Sequence, residues 1–416
     1  LERIDLVSQD GQPQSAGHLS LIALSSSNLS LHNCSITQMT RRQGEATAIS
    51  VSGTPDSHPA RVLLDRVFLR GFLSTVIEAS SHGIDLALVN SLLVNGSGPA
   101  LSLAVAPPQG SATAVDRSFV RVISTTLSSH DALLQLRTTD SAAARPVQVE
   151  LVNSILTGLN PKRAILLDLG NWPQRDDPGR DESRFLGLDW RTTSSLVYGC
   201  RDLVHLDAAV GSSIRTPDEW QQCWPTTDDE TTFQPSRWPT STDSQPVISL
   251  RPALFDTRAL KNPPVMTTSG ETPGCPVSAL PAPSASLGER SIGLSRRPAH
   301  IGAFPTSSAD VRIKLEDHPD LGKYLADHPP DNRTRLTVIG QGRHFTSPLR
   351  IENQTLQIVF QDGKGDPLVL VAQGIAAGSS AGYADELSLF TVSQGHLLLH
   401  GGRFELAAQS DQTPRR

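Results

Sequence analysis

Long apolar runs are missing from this sequence. None approaches the ~18 residues that a membrane-spanning helix requires. Clustered basic charge is missing too. With 36 Lys and Arg against 42 Asp and Glu the net charge is −6, and no basic stripe offers nucleic acid the counter-charge it needs. Aromatic residues are only 5 % and Met occurs twice, while 31 Gly, 30 Pro and many Ser and Thr indicate numerous turns, a composition that suits all-β repeats better than helix bundles. The hydrophobic share of 38 % is enough for a core, though below the usual ~45–50 %. No C-x-x-C pair occurs among Cys34, Cys200, Cys223 and Cys275, which removes the common zinc-site spacing. Cys200 and Cys223 flank a loop rich in Trp and Pro and are a candidate disulfide, which would require an oxidising compartment. No signal-peptide pattern is present, and a chain running from Leu1 to "TPRR" reads as a piece of a longer protein.

What is there is a repeat. "LALVNSLL" (86–93) and "VELVNSIL" (149–156) are near copies, and "LSLHNCSI" (29–36), "RVLLDRVF" (61–68), "VRVISTTL" (120–127) and "WRTTSSLV" (190–197) follow the same pattern. Aligned on a polar anchor, the copies place Asn33, Asp65, Asn90, Ser124, Asn153 and Ser194 in one column. Two positions earlier the residue is apolar in every copy but one, Thr192, and three positions later it is apolar in all. Alternation before the anchor means a strand with one buried face. No straight strand can bury both apolar columns on the same face, so the chain must bend at the anchor. Asn, Asp and Ser suit such bends. A further apolar strand follows each copy, as in "ALLQL" (132–136), "AILLDL" (164–169) and "DLVHL" (202–206).

Repeats of this length with variable loops predict an all-β, right-handed parallel β-helix, a solenoid whose coils bury their inner faces only by stacking. A β-propeller is the runner-up, but the shortest repeats are too small for a four-stranded blade. The variable spacing speaks against a leucine-rich repeat. The pattern resembles the pectin-lyase-like β-helix repeats of large bacterial surface proteins, well over 19–206 and partly over 310–406.

Beyond the repeat, 207–308 reads as an irregular Pro/Ser/Thr-rich excursion that ends in "RPAHIGAFP" (297–305), similar to the closing turn of such helices. The pattern then restarts. "EDHPDLGKYLADHPP" (316–330) predicts a short helix with Leu321, Tyr324 and Leu325 on one face, and strands follow it. The segment 309–416 is therefore expected to be the helical cap and first coils of a second, truncated β-helix, with Gly401 at the anchor of "LLLHGGRFEL". An open second helix could pair with another chain. This restart also resembles extracytoplasmic segments of membrane-anchored bacterial serine/threonine kinases, although no kinase motif is present in the chain.

The resemblance brings polysaccharide chemistry into view. Galacturonan hydrolases of this fold carry N-T-D, D-D, G-H-G and R-I-K. Here Asp176-Asp177, Asp228-Asp229 and "RIK" (312–314) occur, without N-T-D or G-H-G, in loop-like or junction sequence. No ladder of carboxylates marks a lyase's calcium site, although Asp176, Asp177 and Asp181 share one loop. Trp172, Trp190, Trp220, Trp224 and Trp238 lie in one region and form the candidate carbohydrate-stacking platform, set against the plainer reading that they pack the irregular segment. His32 and His205 are placed on strands, facing outward. The sequence thus predicts a noncatalytic, extracytoplasmic β-helix scaffold or binding segment with a polysaccharide or cell-surface partner, and without nucleic acid, metal or cofactor. The alternative is a divergent polysaccharide lyase or glycoside hydrolase.

Overall fold

The computed structural model describes residues 19–37, 46–53, 59–81, 83–105, 117–138, 145–175, 183–207, 212–224, 232–234, 250, 252–255, 273–280, 309–363, 366–372 and 388–406. They form a right-handed parallel β-helix with three sheets, of nine, ten and ten strands among these residues. Each coil contributes one strand to each sheet. The coil that begins with Leu19–Ser25 in sheet 1 continues as Asn28–His32 in sheet 2 and Ser35–Thr37 in sheet 3.

Sequence alternation sets the inner faces. Leu31, Leu64, Leu88, Val122 and Leu151 are buried in successive strands of sheet 2. One full burial of this kind is worth about 1.5–3 kcal/mol, and the coils gain it only together. Between sheets 2 and 3 the chain turns through one residue of positive φ: Asn33 (53°), Arg66 (55°), Asn90 (49°), Ser124 (45°), Asn153 (51°) and Ser194 (50°). In the second of these bends Arg66 adopts the left-handed conformation and not the anchor Asp65. Asp65 instead ends its strand and bonds His32 Nδ1 through Oδ2 at 3.3 Å.

The residue after the bend closes the corner. The hydroxyls of Ser91, Thr125 and Ser154 donate to the carbonyls two residues back, at 2.8–2.9 Å. Each also accepts an N–H from the neighbouring coil. Val67 donates to Ser91, Ser91 to Thr125, Thr125 to Ser154 and Ser154 to Ser195, all at 3.1–3.2 Å. This buried ladder gives each backbone N–H at the corner a partner where no strand pairing reaches it. In "VNS", Asn supplies the turn and Ser the rung.

Sheet 3 is covered on both sides. Its outward row of Phe68, Leu92, Thr126, Ile155 and Leu196 is in register from coil to coil. Leu250, Phe255, Cys275 and Leu280 of the excursion pack onto this row. Gly274 N donates to Asn153 O at 2.8 Å and Cys275 N to Thr126 Oγ1 at 3.0 Å. Gly274 has φ +100°, and a Cβ there would press into Ile155. The described residues 250, 252–255 and 273–280 of the excursion therefore form a strap along sheet 3.

The second start does not open a separate helix. Ser388–Ser393 pairs with Leu19–Ser25, His396–His400 with Asn28–His32, and Arg403–Leu406 with Ser35–Thr37. The coils of 309–406 thus stack onto the leading face of the first coil, and one continuous solenoid results. Parallel coils offer the same backbone ladder on every face, so the first coil's open edge is satisfied by the last coil of the same chain. Beyond those coils the predicted helix forms over Leu321–Asp327, with Leu321 buried. Its N-cap Asp320 binds Lys323 N, Ser347 N and Ser347 Oγ at 3.0, 2.8 and 2.7 Å, which fastens the helix to the coil it covers.

The trailing end is closed by aromatic residues. Thr216 and Glu219 form a capping box for the helix Pro217–Cys223, which carries Trp220 inward. The rings of Trp190 and Trp220 meet edge to face at 5.2 Å, and those of Trp220 and Trp224 lie 4.4 Å apart.

Candidate functional site

The expected stacking platform is not formed by the four described tryptophans. Trp172, Trp190, Trp220 and Trp224 are all buried, so none presents a face to a sugar. Trp172 Nε1 donates to Leu186 O at 3.0 Å and Trp190 Nε1 to Thr192 Oγ1 at 2.7 Å. Hydrophobic packing wins because, among the described residues, only the short strand Thr232–Gln234 continues the stack at this end, in sheet 3 alone. Trp238, the loop with Asp176, Asp177 and Asp181, the pair Asp228-Asp229, and "RPAHIGAFP" lie outside the described residues. Cys200 and Cys223 carry free thiols, not a disulfide. Burial pushes the Cys200 thiol up to about 12 and that of Cys223 upward. "RIK" ends the strand Ala309–Lys314 at the leading edge of sheet 2, far along the stack from the groups described next. Among the described residues no three His, Cys, Asp or Glu side chains are grouped to hold a metal ion, and no helix is long and apolar enough to cross a membrane.

The polar chemistry gathers on the outer face of sheet 1, towards its trailing end. Strand Ala132–Thr138 turns Leu134 and Leu136 inward, which leaves Gln135 and Arg137 outward. The next strand, Ile165–Gly170, places Asp168 beside Gln135, and Asp202–Leu206 places His205 beside Asp168. In the other direction the same row continues through Ser102 and Glu78 to Ser50. One polar side chain per coil therefore stands in line, ~4.8 Å from the next.

Hydrogen bonds join the row. Ser102 Oγ donates to Gln135 Oε1 at 3.0 Å, and Gln135 Nε2 donates to Asp168 Oδ2 at 3.0 Å. Arg137 Nη2 reaches the same oxygen at 2.8 Å. Asp168 is only 6 % exposed, yet its second oxygen, Oδ1, is buried without a protein partner. A buried carboxylate oxygen without a donor costs about 1–3 kcal/mol or more. Gly170 makes room for the guanidinium of Arg137. It has φ +53°, and a Cβ there would collide with Arg137 Nη1.

Around this row the charges are placed in opposition. Burial, and after it the charge of Asp168, raises the Asp131 carboxyl above its ordinary value. Arg163, Arg137 and His205 act on Asp131 in the opposite sense. His205 Nδ1 lies 3.3 Å from Ser213 Oγ. Asp202, buried three residues before His205 on the same strand, is held by Arg201 at 2.6 Å and Arg215 at 2.9 Å. The arrangement offers the Ser102 hydroxyl, the Gln135 amide and the His205 imidazole half-buried on one face, and a carboxyl of raised pKa at Asp131. Sequence reading placed His205 outward but did not connect it with Gln135 and Asp168. The available signal was a lone polar residue near the end of each otherwise apolar strand.

No protein-family model matches the chain, and no curated protein matches it. Among solved structures, a mutant of the PL6-family alginate lyase AlyGC is similar at 11 % identity with a TM-score of 0.18, covering 94 % of this chain and 68 % of that one. The β-helix itself is established by the strand pairing.

Proposed function

We propose that this chain is a noncatalytic β-helix binding scaffold of an extracytoplasmic surface protein, and that it holds a carbohydrate along the outer face of sheet 1. The observation that carries this reading is the registered row of outward polar side chains Ser102, Gln135 and His205, with the buried Asp168 carboxylate anchoring Gln135 between them. The row stands on the outer face, whereas the Ser and Thr ladder at the corners is buried. Affinity electrophoresis through gels containing polysaccharide tests the reading. Retardation that is lost in Asp168→Asn, with no release of reducing ends, supports it. Equal mobility in all gels overturns it.

The second reading is a divergent polysaccharide lyase or hydrolase. It is favoured by Asp131, whose carboxyl is raised above its ordinary value by burial and then by the charge of Asp168, as a candidate acid beside a second carboxyl group. Product formation that disappears in Asp131→Asn would select this reading over the first.

A further inference from the structure

We infer that the row Ser102–Gln135–Asp168–His205 takes an extended, uncharged, hydroxyl-rich polysaccharide and not a polymer of uronic acids. This rests on the reading of sheet 1 as the binding face. Three observations lead to it.

First, the groups the row presents to a ligand are neutral. Asp168 Oδ2 is occupied by Gln135 and Arg137 and its Oδ1 is buried, so the hydroxyl of Ser102, the amide of Gln135 and the imidazole of His205, all half-buried, are what an incoming chain meets. A sugar hydroxyl supplies one donor and needs no counter-charge. Second, the cations near the row already face carboxylates. Arg137 is paired with Asp168, Arg201 and Arg215 with Asp202, and Arg163 acts on Asp131. A uronate carboxylate arriving here would meet the carboxyl groups of Asp168 and Asp131, and the described Arg137, Arg201 and Arg215 are already ion-paired, so like charge disfavours it. Third, the row is linear, with one side chain per coil at ~4.8 Å, a step comparable to the length of one sugar ring. The four described tryptophans at this end of the stack are buried, so binding rests on hydrogen bonds repeated along the strip. Single sugars are then held weakly, and affinity grows with chain length as further coils are engaged.

The test uses the full chain with two probe sets. Neutral oligosaccharides of increasing length (β-glucan, galactan and mannan series) are compared with oligogalacturonate and oligoalginate of matched length, by calorimetry and by shifts of the His205 ring signals in NMR. The expected result is binding of a neutral series that strengthens with length and perturbs His205, with no binding of either uronate. Asp168→Asn is expected to weaken it by ~10-fold or more. Because Asp168 also anchors Gln135 and Arg137, His205→Gln serves as a second variant that leaves those bonds in place. Uronate binding that moves the His205 signals would overturn the ligand class while sparing the binding face. Neutral binding that leaves His205 still, and is indifferent to both variants, would overturn the face as well. Absence of binding by every series would overturn both.

Discussion

His32 and His400 are register partners on adjacent strands of sheet 2, although they stand near opposite ends of the chain. They mark the seam where the last coil meets the first. Asp65 and Asn33 approach them at 3.3 and 3.4 Å. His396 lies on the same seam, 3.4 Å from Ser30 Oγ.

The seam should be sensitive to acid. Burial, then the charge of Arg61, brings the His396 imidazole down to about 4 from an ordinary 6.5. His400 is lowered by burial and by the charges of His32, Arg66 and Arg335, with Asp65 acting in the opposite sense. In the unfolded chain these rings bind protons near pH 6.5, whereas the folded seam keeps them neutral. Stability is therefore complete above ~6.5 and is lost as pH falls towards about 4, by about 3 kcal/mol for His396. Hydrogen exchange at pH 7 and pH 5 should show 19–37 and 388–406 losing protection before the central coils. His396→Gln should flatten that difference. Uniform exchange along the solenoid at both pH values would refute the weakness of the seam.

Ser154→Ala should cost about 1–3 kcal/mol, because Thr125 N loses its acceptor at a fully buried corner. Ser154→Thr should be far milder, since Thr125 fills the equivalent rung one coil earlier. Chemical denaturation of both variants measures the difference. Equal losses would mean that side-chain volume, not the hydroxyl ladder, governs the corner.

Trp220→Ala should destabilise the trailing end by about 3–5 kcal/mol while leaving saccharide affinity unchanged. A melting curve and a titration on the same sample separate the two effects. A lost affinity with an intact melt would restore the tryptophans as ligand contacts.

All four cysteines should be unreactive towards thiol reagents at neutral pH until the protein unfolds. Burial pushes Cys34 to about 11 and Cys200 to about 12, and it also raises Cys223 and Cys275. Mass spectrometry after alkylation in denaturant should count four modified thiols. Two would indicate a disulfide.

The coil pattern was legible because it depends on local alternation and on a residue that tolerates positive φ. "LVNS" carried both. Asp65 was misread as a bend because polar character was taken as the signal, whereas the turn is made by Arg66, whose type gives no hint of it. The strap was visible in outline only. Adjacent apolar residues such as Leu92-Leu93 and Ile155-Leu156 do announce a strand covered on both faces. The polar row was illegible as a row, because Gln135, Asp168 and His205 become neighbours only once the lengths of two intervening loops are fixed. Stack order was hidden for a deeper reason. A coil's edge is backbone, and backbone does not encode which coil will pair with it.

That order has a consequence for biosynthesis. Residues 19–37 leave the ribosome long before 388–406, so the leading face of the earlier coil is completed only by a segment made later. Growth of this solenoid is therefore not a simple march in chain order. Coils from 46 to 206 extend it on one side of 19–37, and coils from 309 to 406 complete it on the other. Until those later coils arrive, an unpaired parallel edge is open to any nascent neighbour on the same messenger.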